Sequence, residues 1–220
     1  MNTDIMHMIW DFMYYIIQAV ACISAFDKIL IYVNSQHIRE STRWFQLHSI
    51  MNCIITWFAY PDVVECLFYP QNSNQISNNN WSRSFALSLH VYHSIVYTLR
   101  YEDWMHHILS VFLTAPFCIV NNTKNMSVVY FFCTGLPGAI DYFMLNLVRT
   151  NYILKKRQKT TCSIMNAYLR MPGGCYGGLL LLKDSYHAGV FGIDKAIMAI
   201  VFYCNSVYYG KQAIESATKI

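Results

Sequence analysis

Residues 100–110 read Arg-Tyr-Glu-Asp-Trp-Met-His-His-Ile-Leu-Ser, so that His106 and His107 follow Asp103 by three and four positions. An uncharged run of 20 residues, Trp104 to Thr123, begins inside the same stretch. A helix needs about 20 predominantly apolar residues to cross the hydrocarbon core of a bilayer, and this run has that length. Titratable groups therefore stand at the entrance of a membrane helix. An ionisable side chain there is costly unless it is paired or faces a cavity, which makes the site a functional signal.

The rest of the composition agrees. Hydrophobic residues make up 55% of the chain and charged residues 13%, against roughly 45–50% and about 25% in soluble domains. Mean hydropathy is only +0.26 because 17 Tyr and many Asn lower it, and tyrosine belongs at membrane interfaces. The fold class expected is all-α, a polytopic membrane protein of six to seven transmembrane helices. Its parts are a first span with its loop over 1–40, a membrane domain over 41–212 and a short tail over 213–220. No length remains for a separate soluble domain. The amino terminus lacks a basic leader and a small-residue cleavage pattern, so the first segment reads as a retained span. The eight cysteines form no C-x-x-C pair and read as small apolar filler.

Uncharged or nearly uncharged stretches fall at 8–30, 44–61, 84–99, 104–123, 125–148, 171–190 and 196–210. The segment holding Lys183, Asp184 and His187 reads either as a span or as a re-entrant loop. Seven spans put loops 31–43, 100–103 and 149–170 and the carboxyl terminus on one face, which carries most of the Lys and Arg and is therefore cytoplasmic. Three N-glycosylation sequons, at Asn80, Asn121 and Asn125, fall in the opposite loops, where an acceptor has to sit. The basic run Lys155-Lys-Arg-Gln-Lys159 reads as a topology anchor or as a contact for anionic head groups or a CoA-type phosphate. The net charge of +4 follows the membrane face and implies no nucleic-acid partner.

A rise of ~1.5 Å per residue puts His107 about 6 Å along its helix from Asp103, and His93 about 10 Å from Arg100. By the same ruler His48 lies about 8 Å from Arg43, Asp141 about 12 Å from Arg149 and Asn205 about 9 Å from Lys211. Five spans thus carry polar groups in their cytoplasmic halves, and the clustering implies a shared cavity open toward the cytoplasm. Asp103 shares a helix face with the paired histidines. A carboxylate on one imidazole nitrogen fixes its tautomer and raises its basicity, which prepares a general base for an amine or hydroxyl nucleophile. The bland alternative for His48, His90 and His187 is a satisfied interhelical hydrogen bond. Metal ligation is a further alternative for His90-x-x-His93 and His106-His107, although no H-x-x-H-H box accompanies them; no metal ligands are assigned.

Gly135-Leu-Pro-Gly138 interrupts the fifth span, either opening space beside Asp141 or admitting a neighbouring helix. Met171-Pro-Gly-Gly-Cys-Tyr-Gly-Gly178 reads as flexible or re-entrant.

Asp103-x-x-His106-His107-x-x-Ser110 within such a chain resembles the TLC-domain family, which includes ceramide synthases and translocon-associated membrane proteins. Arg43-Trp44, Leu47-His48, His93, Gly135 through Tyr142, Asn166 through Arg170 and Pro172-Gly173 extend the similarity over about residues 40–210. The resemblance implies an endoplasmic-reticulum protein with membrane lipid as its partner and no resident cofactor. His106 and His107 would be the catalytic pair, with Asp103 orienting them, of an acyl transfer from acyl-CoA to a sphingoid amine. His93, His48, Asp141 and Asn205 would bind substrate. Ser110 and the short acidic approach to the pair are closer to the short members of the family. That closeness implies the alternative, a non-catalytic lipid binder, sensor or regulator of membrane composition. Neither lipid identity nor oligomeric state is legible.

Overall fold

The computed structural model describes residues 3–34, 40–77, 79–99, 101, 104, 107–108, 111, 114–187 and 192–219, with backbone alone for 3–5, 40–41, 118–120 and 187. Among these residues all regular structure is helical, and one isolated antiparallel bridge joins Ile76 to Thr123. Helix α1 is Thr3–Val33, α2 is Glu40–Phe68, α3 is Trp81–Val96 and α4 is Ala115–Val120. Helix α5 is Lys124–Arg149, α6 joins Lys155–Met165 through Asn166–Arg170 to Met171–His187, and α7 is Ile193–Thr218.

Helix α2 is the axis of the bundle because its apolar residues recur every third or fourth position. Leu47, Met51, Ile55, Ala59, Val63 and Cys66 are all buried, a spacing that lines one face of a 3.6-residue helix. The helix packs against α1, α3 and α5, while α6 lies between α5 and α7. By contrast, Trp10, Tyr14 and Ile17 on α1 are 68%, 61% and 65% exposed, although large exposed apolar faces are rare on soluble proteins. Among the described residues, three helices are long and apolar enough to cross a membrane: Met6–Val33, Thr42–Phe68 and Lys124–Arg149. That is the mark of an integral membrane protein.

Both prolines inside the later helices follow a π turn, Phe131–Gly135 ahead of Pro137 and Asn166–Arg170 ahead of Pro172. A proline ring in a regular helix clashes with the carbonyl four residues back. Those residues here, Cys133 and Tyr168, lie in the wider turn, which absorbs the conflict without ending the helix. The glycines beside the prolines admit neighbours. A Cβ on Gly138 would sit 2.6 Å from Asn52 Nδ2, and one on Gly174 would collide with the Ser206 hydroxyl on α7.

Several expectations change accordingly. Residues 171–178 are helical, since their glycines serve close approach and leave no flexible loop, and α6 runs unbroken through Lys183 and Asp184 to His187 without a re-entrant turn. The stretch 149–170, expected as a loop, is helical from Lys155, and the link is confined to 150–154, where Asn151 adopts a positive φ of 61°. Lysine, arginine and glutamine are good helix formers even where charge keeps them in water. Helix α7 likewise continues through the expected tail to Thr218.

A polar cap closes the end of the bundle where α2 finishes and α5 begins. Asp184, 3% exposed, accepts from Ser73 Oγ at 2.8 Å and Asn125 Nδ2 at 2.6 Å and pairs with Lys183 Nζ at 3.0 Å. Asp62 accepts from the hydroxyls of Ser77 and Ser127, each at 2.6 Å. Lys124 Nζ reaches Glu65 Oε1 at 2.6 Å and Gln75 Oε1 at 2.8 Å. The backbone of 73–77 is stitched to 122–125 by three further hydrogen bonds. Polar groups therefore occupy both ends of the bundle, whereas the sequence argument found them at one.

This cap bears on two of the sequons, whose glycosylation the sequence leaves open. Asn125 is fully buried with its amide on Asp184. Asn121 is buried with its amide on Phe117 O and Asp194. Neither amide nitrogen has room for a sugar. Asn80 is half-buried and accepts from Arg83.

Candidate functional site

Helical spacing gathers imidazoles at the other end. On α3, His90 and Ser94 are four apart and share a face, while Tyr97, in extended backbone just past the helix end, packs against His93. On α2, Trp44, His48 and Asn52 form the same kind of stripe. His107 comes from the chain between α3 and α4 and is buried, as are His48 and His93. Ring centroids lie 5.4 Å apart for His48–His93, 4.9 Å for His93–His107 and 5.0 Å for His90–His107. Trp44 contacts both His48 and His93, and Tyr142 on α5 lies 4.5 Å from His48.

These rings line a cavity of about 570 Å³ whose opposite wall is built by α5, α6 and α7. That wall contributes Asp141, Arg149, Lys159, Arg170 and Asn205. Arg170 Nη2 is 3.4 Å from Asp141 Oδ2, and its Nη1 donates to Asn166 Oδ1 at 2.8 Å. Its buried Nε has no partner among the described residues. Lys159 Nζ donates to the carbonyl of Ser216 at 2.9 Å, and the Arg149 guanidinium lies 5.9 Å from the Phe45 ring. Cys162 also lines this wall. Burial, and after it the charge of Asp141, push its thiol up, so it stays protonated at neutral pH.

Comparison with family models, with curated proteins and with solved structures finds no match to this chain. The site is thus read from its own chemistry.

His48, His93, His107, Asp141 and Asn205 share the cavity, and His90, read singly as a packing residue, joins them. Asp103, His106 and Ser110 lie outside the described residues, as does the side chain of His187. Three contacts tie the cavity imidazoles to neighbouring groups of the chain. His48 Nδ1 meets Trp44 O at 3.1 Å, His90 Nδ1 meets Ala86 O at 2.7 Å, and His107 Nδ1 meets Ser94 Oγ at 2.9 Å. Among the described residues no group of three or more His, Cys, Asp or Glu is arranged to hold a metal ion.

Behind the imidazoles lies an anchor that sequence reasoning missed. Asp27 on α1 is 2% exposed. It accepts from Tyr97 OH at 2.7 Å and Tyr92 OH at 3.0 Å, and Arg43 Nε stands 3.1 Å away. Tyr97 in turn packs against His93 and Trp44. Read from sequence, Arg43 is a topology charge, a depth marker for His48 and part of the family resemblance, and is not paired with Asp27. The available signal was an aspartate inside the first apolar run, which must be paired if it is buried. Ser94 and Trp44 are legible as i, i+4 partners of His90 and His48 once α2 and α3 are drawn as helices.

Proposed function

We propose that this chain is a lipid-handling protein of TLC type with six to seven spans, embedded in the endoplasmic-reticulum membrane. In this reading the cavity transfers an acyl group from CoA to an amine-bearing lipid. The observation that carries it is the meeting of imidazoles with Arg149, Lys159 and Arg170 across one cavity. A neutral imidazole accepts a proton near physiological pH, and the cationic wall suits the phosphates of a CoA thioester. The lipid amine gives its proton to an imidazole nitrogen while its nitrogen attacks the thioester carbonyl. The C–N bond forms, the C–S bond breaks, and the departing thiolate takes the proton back from the imidazolium. The paired His106 and His107 supply the base, with Asp103 orienting one ring. Segments 31–43, 100–103 and 149–170 and the carboxyl terminus face the cytoplasm, from which acyl-CoA arrives.

The test is incubation of the purified protein in vesicles with a long-chain acyl-CoA and a sphingoid base. Amide product from the wild type and its loss in His106→Ala and His107→Ala support the reading. Wild-type protein that forms no product under any acyl chain length counts against it. The second reading, a non-catalytic lipid binder or sensor, is favoured by one feature: Trp44 and Tyr142 cover His48, and Trp44 covers His93 as well. It expects saturable lipid binding that survives loss of the histidines.

A further inference from the structure

We infer that Ser94 is a positioning residue that holds His107 in one tautomer, with the proton on Nδ1 and the lone pair on Nε2. The argument is a proton count. A serine hydroxyl has a single proton to donate. Ser94 Oγ donates it to the carbonyl of His90, one turn back on α3, at 2.8 Å. The 2.9 Å contact between Ser94 Oγ and His107 Nδ1 then needs its proton from the imidazole. In the neutral ring the other nitrogen, Nε2, is left as the acceptor.

The neighbouring rings obey the same logic without a hydroxyl. A backbone carbonyl only accepts, so His48 donates from Nδ1 to Trp44 O and His90 from Nδ1 to Ala86 O. Three of the rings lining the cavity therefore carry their lone pair on Nε2, an arrangement that suits a ligand offering N–H or O–H donors. Of these three Nδ1 contacts, that of His107 is the one made to a side chain. The sense of its tautomer is thus open to a single substitution in a residue that belongs to another segment.

The consequence for acyl transfer rests on the proposed function, because Nε2 of His107 is then the nitrogen that takes the proton from the nucleophile. The tautomer itself does not rest on it. The experiment is 15N NMR of protein labelled at histidine, in detergent, with the His107 signals assigned by their loss in His107→Asn. Wild-type protein is expected to show His107 Nδ1 in the protonated, pyrrole-like range and Nε2 in the unprotonated, pyridine-like range. Ser94→Ala is expected to convert this to the other tautomer or a mixture, and Ser94→Thr, which keeps the hydroxyl, to restore it. A pyridine-like Nδ1 in the wild type would overturn the inference, as would a Ser94→Ala spectrum unchanged at His107. If Ser94→Ala does not fold, the wild-type assignment alone decides. The predicted spectrum with no acyl transfer in vesicles would keep the tautomer and remove the catalytic reading.

Discussion

The two ends of the bundle use buried polar side chains in opposite ways. At the cap, Asp62, Asp184 and Lys124 are each surrounded by named partners, and the loop 73–77 is sewn to 122–125. At the other end, His48, His90, His93 and His107 stand around an opening of about 570 Å³. Buried polar groups cost free energy unless they are hydrogen-bonded, so a saturated network reads as structure. Ionisable groups in membrane helices that border a cavity read as function. Polarity alone does not separate the two; what the groups surround does.

The sharpest way to break this contrast is Asp184→Ala. It leaves Ser73, Asn125 and Lys183 facing a void, and severing a buried charge pair costs about 3–5 kcal/mol, reduced here because the Lys183 side chain is 31% exposed. Thermal unfolding in detergent is expected to show a large loss of stability. A midpoint close to wild type would show that the cap is not structural. His107→Ala is the matching test at the cavity, where loss of a general base lowers turnover by roughly 10²–10⁴-fold. Its melting point should fall far less than that of Asp184→Ala, and the reverse order would erase the distinction. Gly174→Val is intermediate in stability, since overpacking costs about 1–3 kcal/mol and the Ser206 hydroxyl already fills the space. The expected readout is a lower midpoint with the imidazole signals intact.

Much of this was legible before any coordinates. The apolar runs at 8–30, 44–61 and 125–148 fall within α1, α2 and α5, because long apolar stretches leave a helix few alternatives in a bilayer. The depth ruler also anticipated which ends of the helices His48, His93, Asp141 and Asn205 occupy, and all four line one cavity. What escaped was long-range pairing. Asp27 meets Arg43 across α1 and α2, and Asp184 meets Ser73 and Asn125, contacts that no local spacing encodes. The glycines of 171–178 were misread because flexibility and close packing ask for the same residue.

Smallest in effect is the prediction for the sequons. Asn121 and Asn125 donate their amide hydrogens inside the cap, so treatment with an endoglycosidase should produce no mobility shift attributable to either position. A glycan found on Asn125 in folded protein would mean that the cap is open.

The most direct test of the account is mass spectrometry of the molecules retained by purified protein, comparing wild type with Ala213→Trp, a substitution in the α7 wall of the cavity. The account predicts an acyl lipid or acyl-CoA held by the wild type and lost from a variant that remains folded. Wild-type protein that retains neither, or a variant with undiminished occupancy, would contradict it.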